Sequence, residues 1–263
     1  MFRSETVTLV MPTKNRAKYV PTAIRCFTQQ TYPDVRLVIV DDGEEQLTIP
    51  ADGRIYYIKL DKSTTTGMKR NIGAEKAGSG IIANLDDDDW SNPHRIEDQV
   101  RRLLSTGKAV TGYNVSILFD EATNQFYKIP GGPPYFASGS SQCYWHRWWK
   151  EHPYPDCSFG EDSVFSRTAR LADQLAIADP GDMLVVRRHA TNTSEVYLPK
   201  LPRLAPGEEP YEFFSAIGNP QPTLNYMWEA HNCSKVCQIG AQRQYEKPVI
   251  EYKVDRLPEI ETR

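Results

Sequence analysis

An apolar run, Ile81-Ile82-Ala83-Asn84-Leu85, ends abruptly in four consecutive aspartates, Asp86, Asp87, Asp88 and Asp89, with Trp90 after them. The run reads as a buried strand. Adjacent carboxylates repel, and each raises the pKa of its neighbour where solvent is limited. A cluster at the end of a buried strand therefore needs a counter-charge. A divalent cation supplies one, and hard oxygen ligands suit Mg²⁺ or Mn²⁺. In an open α/β sheet, ligands bind beyond the carboxyl ends of the strands, where these aspartates fall. The plainer alternative is a solvated acidic loop capping a helix that starts near Asn92-Pro93.

The residues around this junction repeat its pattern. Residues 6–11 form a β-branched and apolar run closed by Pro12, and residues 35–40 (VRLVIV) are nearly continuously apolar before Asp41-Asp42-Gly43. Continuous rather than alternating apolarity indicates a strand covered on both faces, as in a parallel sheet. Residues 54–60 give a third strand and 81–85 a fourth. Helices are expected at 18–30, with Pro21 tolerated in the first turn, at 67–77 and at 92–105. The order β-α-β-β-α-β-α is that of a nucleotide-binding half-sheet.

Beyond residue 106 the pattern changes. Residues 108–119 and 125–129 read as a hairpin around 120–124, followed by a Gly/Pro-rich loop at 130–134. A helix is expected at 161–172 and a late strand at 183–188. Six prolines between residues 199 and 222 predict extended, poorly helical chain there.

Composition excludes several classes. With 40% hydrophobic and 25% charged residues the chain is an ordinary globular protein, and its net charge of −3 gives no general attraction to nucleic acid or anionic membrane. No apolar run reaches the 18 or so residues of a membrane span. The first residues lack a signal-peptide stretch, so a cytoplasmic location is expected. The five cysteines are scattered and odd in number, which favours free thiols over a disulfide framework. Cys233 and Cys237 with His231 have only a loose zinc-like spacing.

Acidic and basic groups recur at the strand ends: Asp41-Asp42 after the second strand, Arg70 in the helix before the fourth, and the aspartate run after it. A nucleoside diphosphate needs such a set, since carboxylates accept from base or ribose while arginine or metal meets phosphate. Singly, each has an ordinary explanation. Asp-Gly favours a turn, and Arg70 could be a surface helix residue.

Five segments in order, Met11-Pro12-Thr13-Lys14-Asn15-Arg16, Val40-Asp41-Asp42-Gly43, Gly67-Met68-Lys69-Arg70-Asn71-Ile72-Gly73, Leu85-Asp86-Asp87-Asp88-Asp89-Trp90 and Gly160-Glu161-Asp162, resemble the family 2 glycosyltransferases of GT-A fold. The resemblance covers about residues 4–190. It implies an α/β fold, GT-A and Rossmann-like, with a mostly parallel sheet, helices on both faces and a Pro-rich C-terminal extension. It divides the chain into a GT-A domain at 1–195, with a nucleotide-binding half at 1–106 and an acceptor half at 107–195, and an extension at 196–263 of unknown role.

By the same resemblance, Pro12, Thr13, Asn15 and Arg16, with Asp41 and Asp42, cradle the nucleoside, and Arg70 lies near base or diphosphate. Asp86, Asp87 and Asp88 contain the family's D-x-D pair, with Asp88 the direct ligand of Mn²⁺ or Mg²⁺ and Asp86 its companion. Asp162 resembles the general base of inverting members, with Glu161 beside it. A base makes chemical sense, because an acceptor hydroxyl is a poor nucleophile until its proton is taken. Helix N-terminal charge explains Glu161-Asp162 equally well. His189, after the late strand, resembles an extra metal ligand of some GT-A enzymes, or is an exposed histidine in a basic stretch.

The implied reaction moves one sugar from a nucleotide sugar, uridine-linked in most of this family, to a hydroxyl of a glycan, lipid carrier, small molecule or modified DNA base. The competing class is a GT-A-like module that binds nucleotide or glycan without turnover; retention of both Asp88 and Asp162 favours the enzyme. Residues 144–150 (YWHRWWK) could stack on a sugar or base, or be a strand end and helix packed on the core. The absence of Q-x-x-R-W argues against a processive synthase, and the absence of G-x-G-T-R against a nucleotidyltransferase. Dimerisation through the C-terminal region stays open.

Overall fold

The computed structural model describes residues 5–114, 117–128 and 136–192, together with the backbone of 253–254. In chain order the first half contains β1 (Val7–Thr13), α1 (Val20–Thr28), β2 (Val35–Asp41), β3 (Ile55–Lys59), α2 (Thr66–Ala77), β4 (Ile81–Asn84), β5 (Trp90–Ser91) and α3 (Arg95–Thr106). Then follow β6 (Val110–Tyr113), β7 (Ile117–Asp120), β8 (Gln125–Lys128), a 3₁₀ turn (Gly139–Ser141), β9 (Cys143–Trp145), α4 (His146–Glu151), α5 (Glu161–Leu171), β10 (Leu175–Ala178), β11 (Leu184–Arg188) and β12 (Lys253–Val254).

The main sheet runs β10-β6-β9-β4-β1-β2-β3-β12. Its centre is parallel, β1 lying between β2 and β4, with β3 beside β2. Strand periodicity divides β1 between two cores. Val7, Leu9 and Met11 pack with Ile24 and Phe27 of α1 and with Ile96, Val100 and Leu103 of α3. Val10 faces the other way, towards Ala74 of α2, Trp148 and Trp149 of α4 and Phe165 of α5. Helices thus cover both faces, which is why β1 and β2 carry apolar residues at nearly every position. Because the central strands are parallel, their carboxyl ends share one edge, where the site forms.

Beyond residue 106 the structure departs from expectation in two places. Residues 108–119 are not one hairpin arm. β6 stays in the main sheet beside β10, whereas β7 belongs to a second sheet of order β5-β11-β7-β8. The hairpin between β7 and β8 does form, with Ile117 opposite Lys128 and Asp120 opposite Gln125. The split depends on partners far away in sequence, β10 and β11, which a local run cannot reveal.

Secondly, β9 inserts antiparallel between β4 and β6, so the sheet is parallel only on its β4-β1-β2-β3 side and at the β6-β10 pair. Of the two alternatives for residues 144–150, the strand end and helix packed on the core is the one observed: Trp148 and Trp149 are buried, and Trp149 Nε1 donates to Asn71 Oδ1 at 2.8 Å. Cys26, Cys143 and Cys157 are free thiols. No helix among the described residues is long and apolar enough to cross a membrane. The loose zinc-like set at 231–237 and the Pro-rich stretch lie outside the described residues, except that β12 pairs with β3 at the sheet edge.

Candidate active site

A cleft of about 580 Å³ opens at the carboxyl edge of β1 and β4. One wall is the loop at 12–16 with Lys69 and Arg70 of α2. The floor is the aspartate run. The far wall is the turn at 138–140 and the start of α5, including Glu161 and Asp162. Thr191 and Asn192, after β11, close one side.

Each aspartate of the run has its own partner. Asp86 meets Arg70 Nη2 at 3.2 Å. Asp87 Oδ1 accepts from Arg16 Nη1 at 2.7 Å, and the same nitrogen lies 2.5 Å from Asp88 Oδ2. Asp88 Oδ2 also receives His189 Nε2 at 2.9 Å and Asn192 Nδ2 at 3.4 Å. Asp89 Oδ1 accepts the backbone N–H of Arg187 at 2.9 Å, tying the run to β11.

Burial and the close packing of these carboxylates work against the ionisation of Asp87 and Asp89. Burial pushes Asp87 up to about 7, the charge of Asp88 adds to this, and Arg16 opposes it. Burial raises Asp89 well above the carboxylate range. Burial alone would weaken the hold of Arg16 on its proton, but Asp88 and Asp87 outweigh it.

Arg70 is fully buried rather than a surface helix residue. It joins the two walls, with Nη2 at Asp86, Nε 3.4 Å from Glu161 Oε1 and Nη1 3.4 Å from the carbonyl of Gly139. Burial works against its charge, and Asp86 and Glu161 more than restore it. Glu161 and Asp162 form the first turn of α5, where helix N–H groups favour acids. Burial nevertheless pushes Glu161 up to about 7, helped by Asp162 and opposed by Arg70. Asp162 is raised as well, again by burial against the pull of Arg70.

Asp41 and Asp42 do not line the cleft but stand behind it. Asp41 is taken up by Tyr57 Oη at 2.7 Å, Lys59 Nζ at 2.9 Å and the N–H of Gly43 at 2.7 Å. Asp42 binds Lys69 Nζ at 2.6 Å and the N–H of Thr64 at 2.8 Å. Burial disfavours its charge, yet these donors hold Asp42 below the usual carboxylate range. Pro12, Thr13, Asn15 and Arg16 all line the cleft. Asn15 adopts a left-handed φ of 51°, tolerable for asparagine, and its Oδ1 caps the N–H groups of Glu44 and Glu45.

His189 does not line the cleft but lies behind its floor, against Asp88, with a defined tautomer. The N–H of Thr191 donates to Nδ1 at 3.2 Å, so Nε2 carries the proton and donates to Asp88. Its ring stacks on Tyr19 at 4.4 Å. Among the described residues no group of three or more His, Cys, Asp or Glu is gathered as a metal-ligand set.

Lys69, Ser138, Gly139 and Asn192 were not singled out from sequence. One signal for Lys69 was available: α2 lacks an apolar stripe, yet it lies between two strands and buries Lys69, Arg70 and Asn71. Such burial demands acidic partners. Gly139 has a steric reason. A Cβ there would stand 2.9 Å from Asp162 Oδ2 and 3.2 Å from Arg70 Nη2. Gly139→Ala should therefore displace Asp162 and, on the role that the family resemblance gives Asp162, lower kcat by about 10²-fold while circular dichroism shows an intact fold. Wild-type kcat in the variant would show that the close approach has no bearing on the site.

The sequence pattern described as "Glycosyl transferase family 2" matches residues 8–165, more than half of the chain. The chain belongs to glycosyl transferase family 2. Relatives within the family include the O-antigen biosynthesis glycosyltransferase WbnJ of Escherichia coli, 26% identical over 43% of this chain and 47% of WbnJ. Glycosyltransferase GlyG of Streptococcus pneumoniae is 22% identical over 53% of this chain and 46% of GlyG. The chain spans about half the length of these curated relatives.

Among solved structures, residues 1–349 of S. aureus TarS in complex with UDP-GlcNAc align with a TM-score of 0.58 at 15% identity, covering 73% of this chain and 62% of that one. The mannosyltransferase PcManGT of Pyrobaculum calidifontis, in complex with GDP-Man and Mn²⁺, aligns at 0.52 with 14% identity, covering 71% and 57%. At these identities the likeness establishes the fold, which is GT-A.

Proposed function

We propose that this family 2 chain is a glycosyltransferase that moves one sugar from a nucleotide sugar, uridine-linked, to a hydroxyl acceptor with inversion at the anomeric carbon. The observation that carries the proposal is the Arg70 bridge: one buried guanidinium holds Asp86 on the donor side and Glu161 beside Asp162 on the opposite side of a single cleft. A binding module needs no carboxylate pair facing the donor wall. The division into a GT-A domain at 1–195 and an extension at 196–263 belongs to the same reading.

In this reading the loop at 12–16 cradles the nucleoside. Asp42 acts through Lys69, which it holds against the carbonyl of Thr13. Asp162 takes the acceptor proton, its Oδ1 steadied by the N–H of Ser163 at 2.7 Å. The oxygen donors of Asp86 and Asp88 suit Mn²⁺ or Mg²⁺, and the Asp86 side chain keeps 31% exposure towards the cleft. His189 would join them through Nε2 only in its other tautomer, with the Thr191 N–H released from Nδ1. A divalent cation bound there would neutralise the departing diphosphate.

The uridine assignment rests on family resemblance and is supported by the UDP-GlcNAc complex of TarS, while PcManGT pairs a similar fold with GDP-Man. A panel of UDP-, GDP- and CMP-sugars with mixed hydroxyl acceptors tests it by nucleotide release. Turnover of a UDP-sugar is expected. Release from GDP- or CMP-sugars alone would overturn the uridine assignment.

A further inference from the structure

The most heavily committed atom in the cleft is Asp88 Oδ2. It lies within hydrogen-bond distance of Arg16 Nη1, His189 Nε2 and Asn192 Nδ2, at 2.5, 2.9 and 3.4 Å. A carboxylate oxygen has two lone pairs, so this one is saturated. Any cation that uses it must displace a donor. His189 and Asn192 are neutral partners and can turn aside, or in the case of His189 change tautomer, without facing a like charge. Arg16 cannot stay, because a guanidinium in contact with the shared oxygen would face a like charge at about 4 Å or less.

The setting of Arg16 makes such a displacement feasible. It lies in the loop beyond β1 rather than in a helix or strand, and its side chain is 15% exposed. The other hydrogen bonds of its side chain go to Asp87 Oδ1 at 2.7 Å and the carbonyl of Thr191 at 2.7 Å. A small rotation would leave Arg16 on Asp87 while freeing Asp88.

We infer that Arg16 is an internal counter-ion that occupies Asp88 in the metal-free protein and competes with the divalent cation for Oδ2. This rests on the proposal that Asp88 is a metal ligand. It adds that Arg16 sets how tightly the metal binds and keeps the acidic run neutralised when the metal is away. Arg16 is then a positioning residue whose effect is read in metal affinity, apart from turnover.

The test is calorimetric titration of Mn²⁺, without nucleotide, into the full 263-residue chain and its Arg16→Gln and Arg16→Lys variants. Arg16→Gln removes the competing charge and should bind Mn²⁺ at least about tenfold more tightly than wild type. Arg16→Lys keeps the charge but not the fork, and should fall between them. In EDTA, Arg16→Gln should melt at lower temperature than wild type and recover more of the loss on adding Mn²⁺. Should Arg16→Gln fail to fold, the lysine variant decides alone, by binding Mn²⁺ more tightly than wild type. Equal or weaker Mn²⁺ binding in the folded variants, with wild-type binding intact, overturns the role of Arg16 and leaves the metal site standing. No Mn²⁺ binding by any of the three proteins overturns the metal site itself, and the competition with it.

Discussion

Replacing Asp162 by Asn is expected to leave nucleotide-sugar binding intact and to slow transfer by about 10²–10⁴-fold, the usual loss when a general base is removed. The substitution conserves shape. Asn Oδ1 can still accept the Ser163 N–H that Asp162 accepts at 2.7 Å, so α5 should keep its first turn. What disappears is the proton acceptor. Glu161 is adjacent and, with Arg70, part of the same charged set, so the double replacement by Asn and Gln is the cleaner measure.

The pH profile of the wild type supplies a second readout. Burial pushes Glu161 up to about 7 and raises Asp162, each opposed by Arg70. A raised pKa keeps the Asp162 base protonated to higher pH, so as pH falls activity should be lost earlier than for an ordinary carboxylate near 4. Near-normal turnover by Asp162→Asn, or a product that retains the donor's anomeric configuration, would exclude Asp162 as the base of an inverting displacement.

The second large effect is expected at Asp88. In Asp88→Asn, nucleotide affinity measured with Mn²⁺ should fall to the value measured in EDTA, because a neutral amide is a far poorer ligand for a hard cation. The fold should survive, since Asp87 still pairs with Arg16, and Asn keeps an oxygen that can accept from His189 Nε2. Calorimetry of nucleotide binding with and without EDTA separates the outcomes. A metal-dependent affinity equal to that of wild type would remove Asp88 from the metal site. A chain that binds nucleotide and metal normally, yet turns over no donor with any acceptor, would instead be the binding module considered from sequence.

Much of residues 1–106 was legible because the signals there are local. Strands covered on both faces must be apolar at nearly every position, so residues 35–40 and 81–85 declared themselves, and acids placed directly after them had to fall at the carboxyl edge of the sheet. The helix at 161–172 was equally plain, and the observed α5 spans Glu161–Leu171. The residues beyond 106 were read less well. Which sheet residues 110–120 join, and the reversal of β9, depend on pairing with strands tens of residues away.

The same division holds within the site. Sequence alone determined that a dense negative charge lies at a strand end and that Asp41-Asp42 and a basic helix residue recur at the other strand ends, since residue types and their order are enough for that. The second acidic pair, Glu161-Asp162, was brought near it only by the family resemblance. Only the tertiary structure decided the pairing: Arg16 on Asp87 and Asp88, Arg70 between Asp86 and Glu161, Lys69 on Asp42, and Asp41 withdrawn behind the cleft. The physical reason is that attraction between buried charges falls with distance and depends on shielding from water, and both are set by packing between elements far apart in the chain.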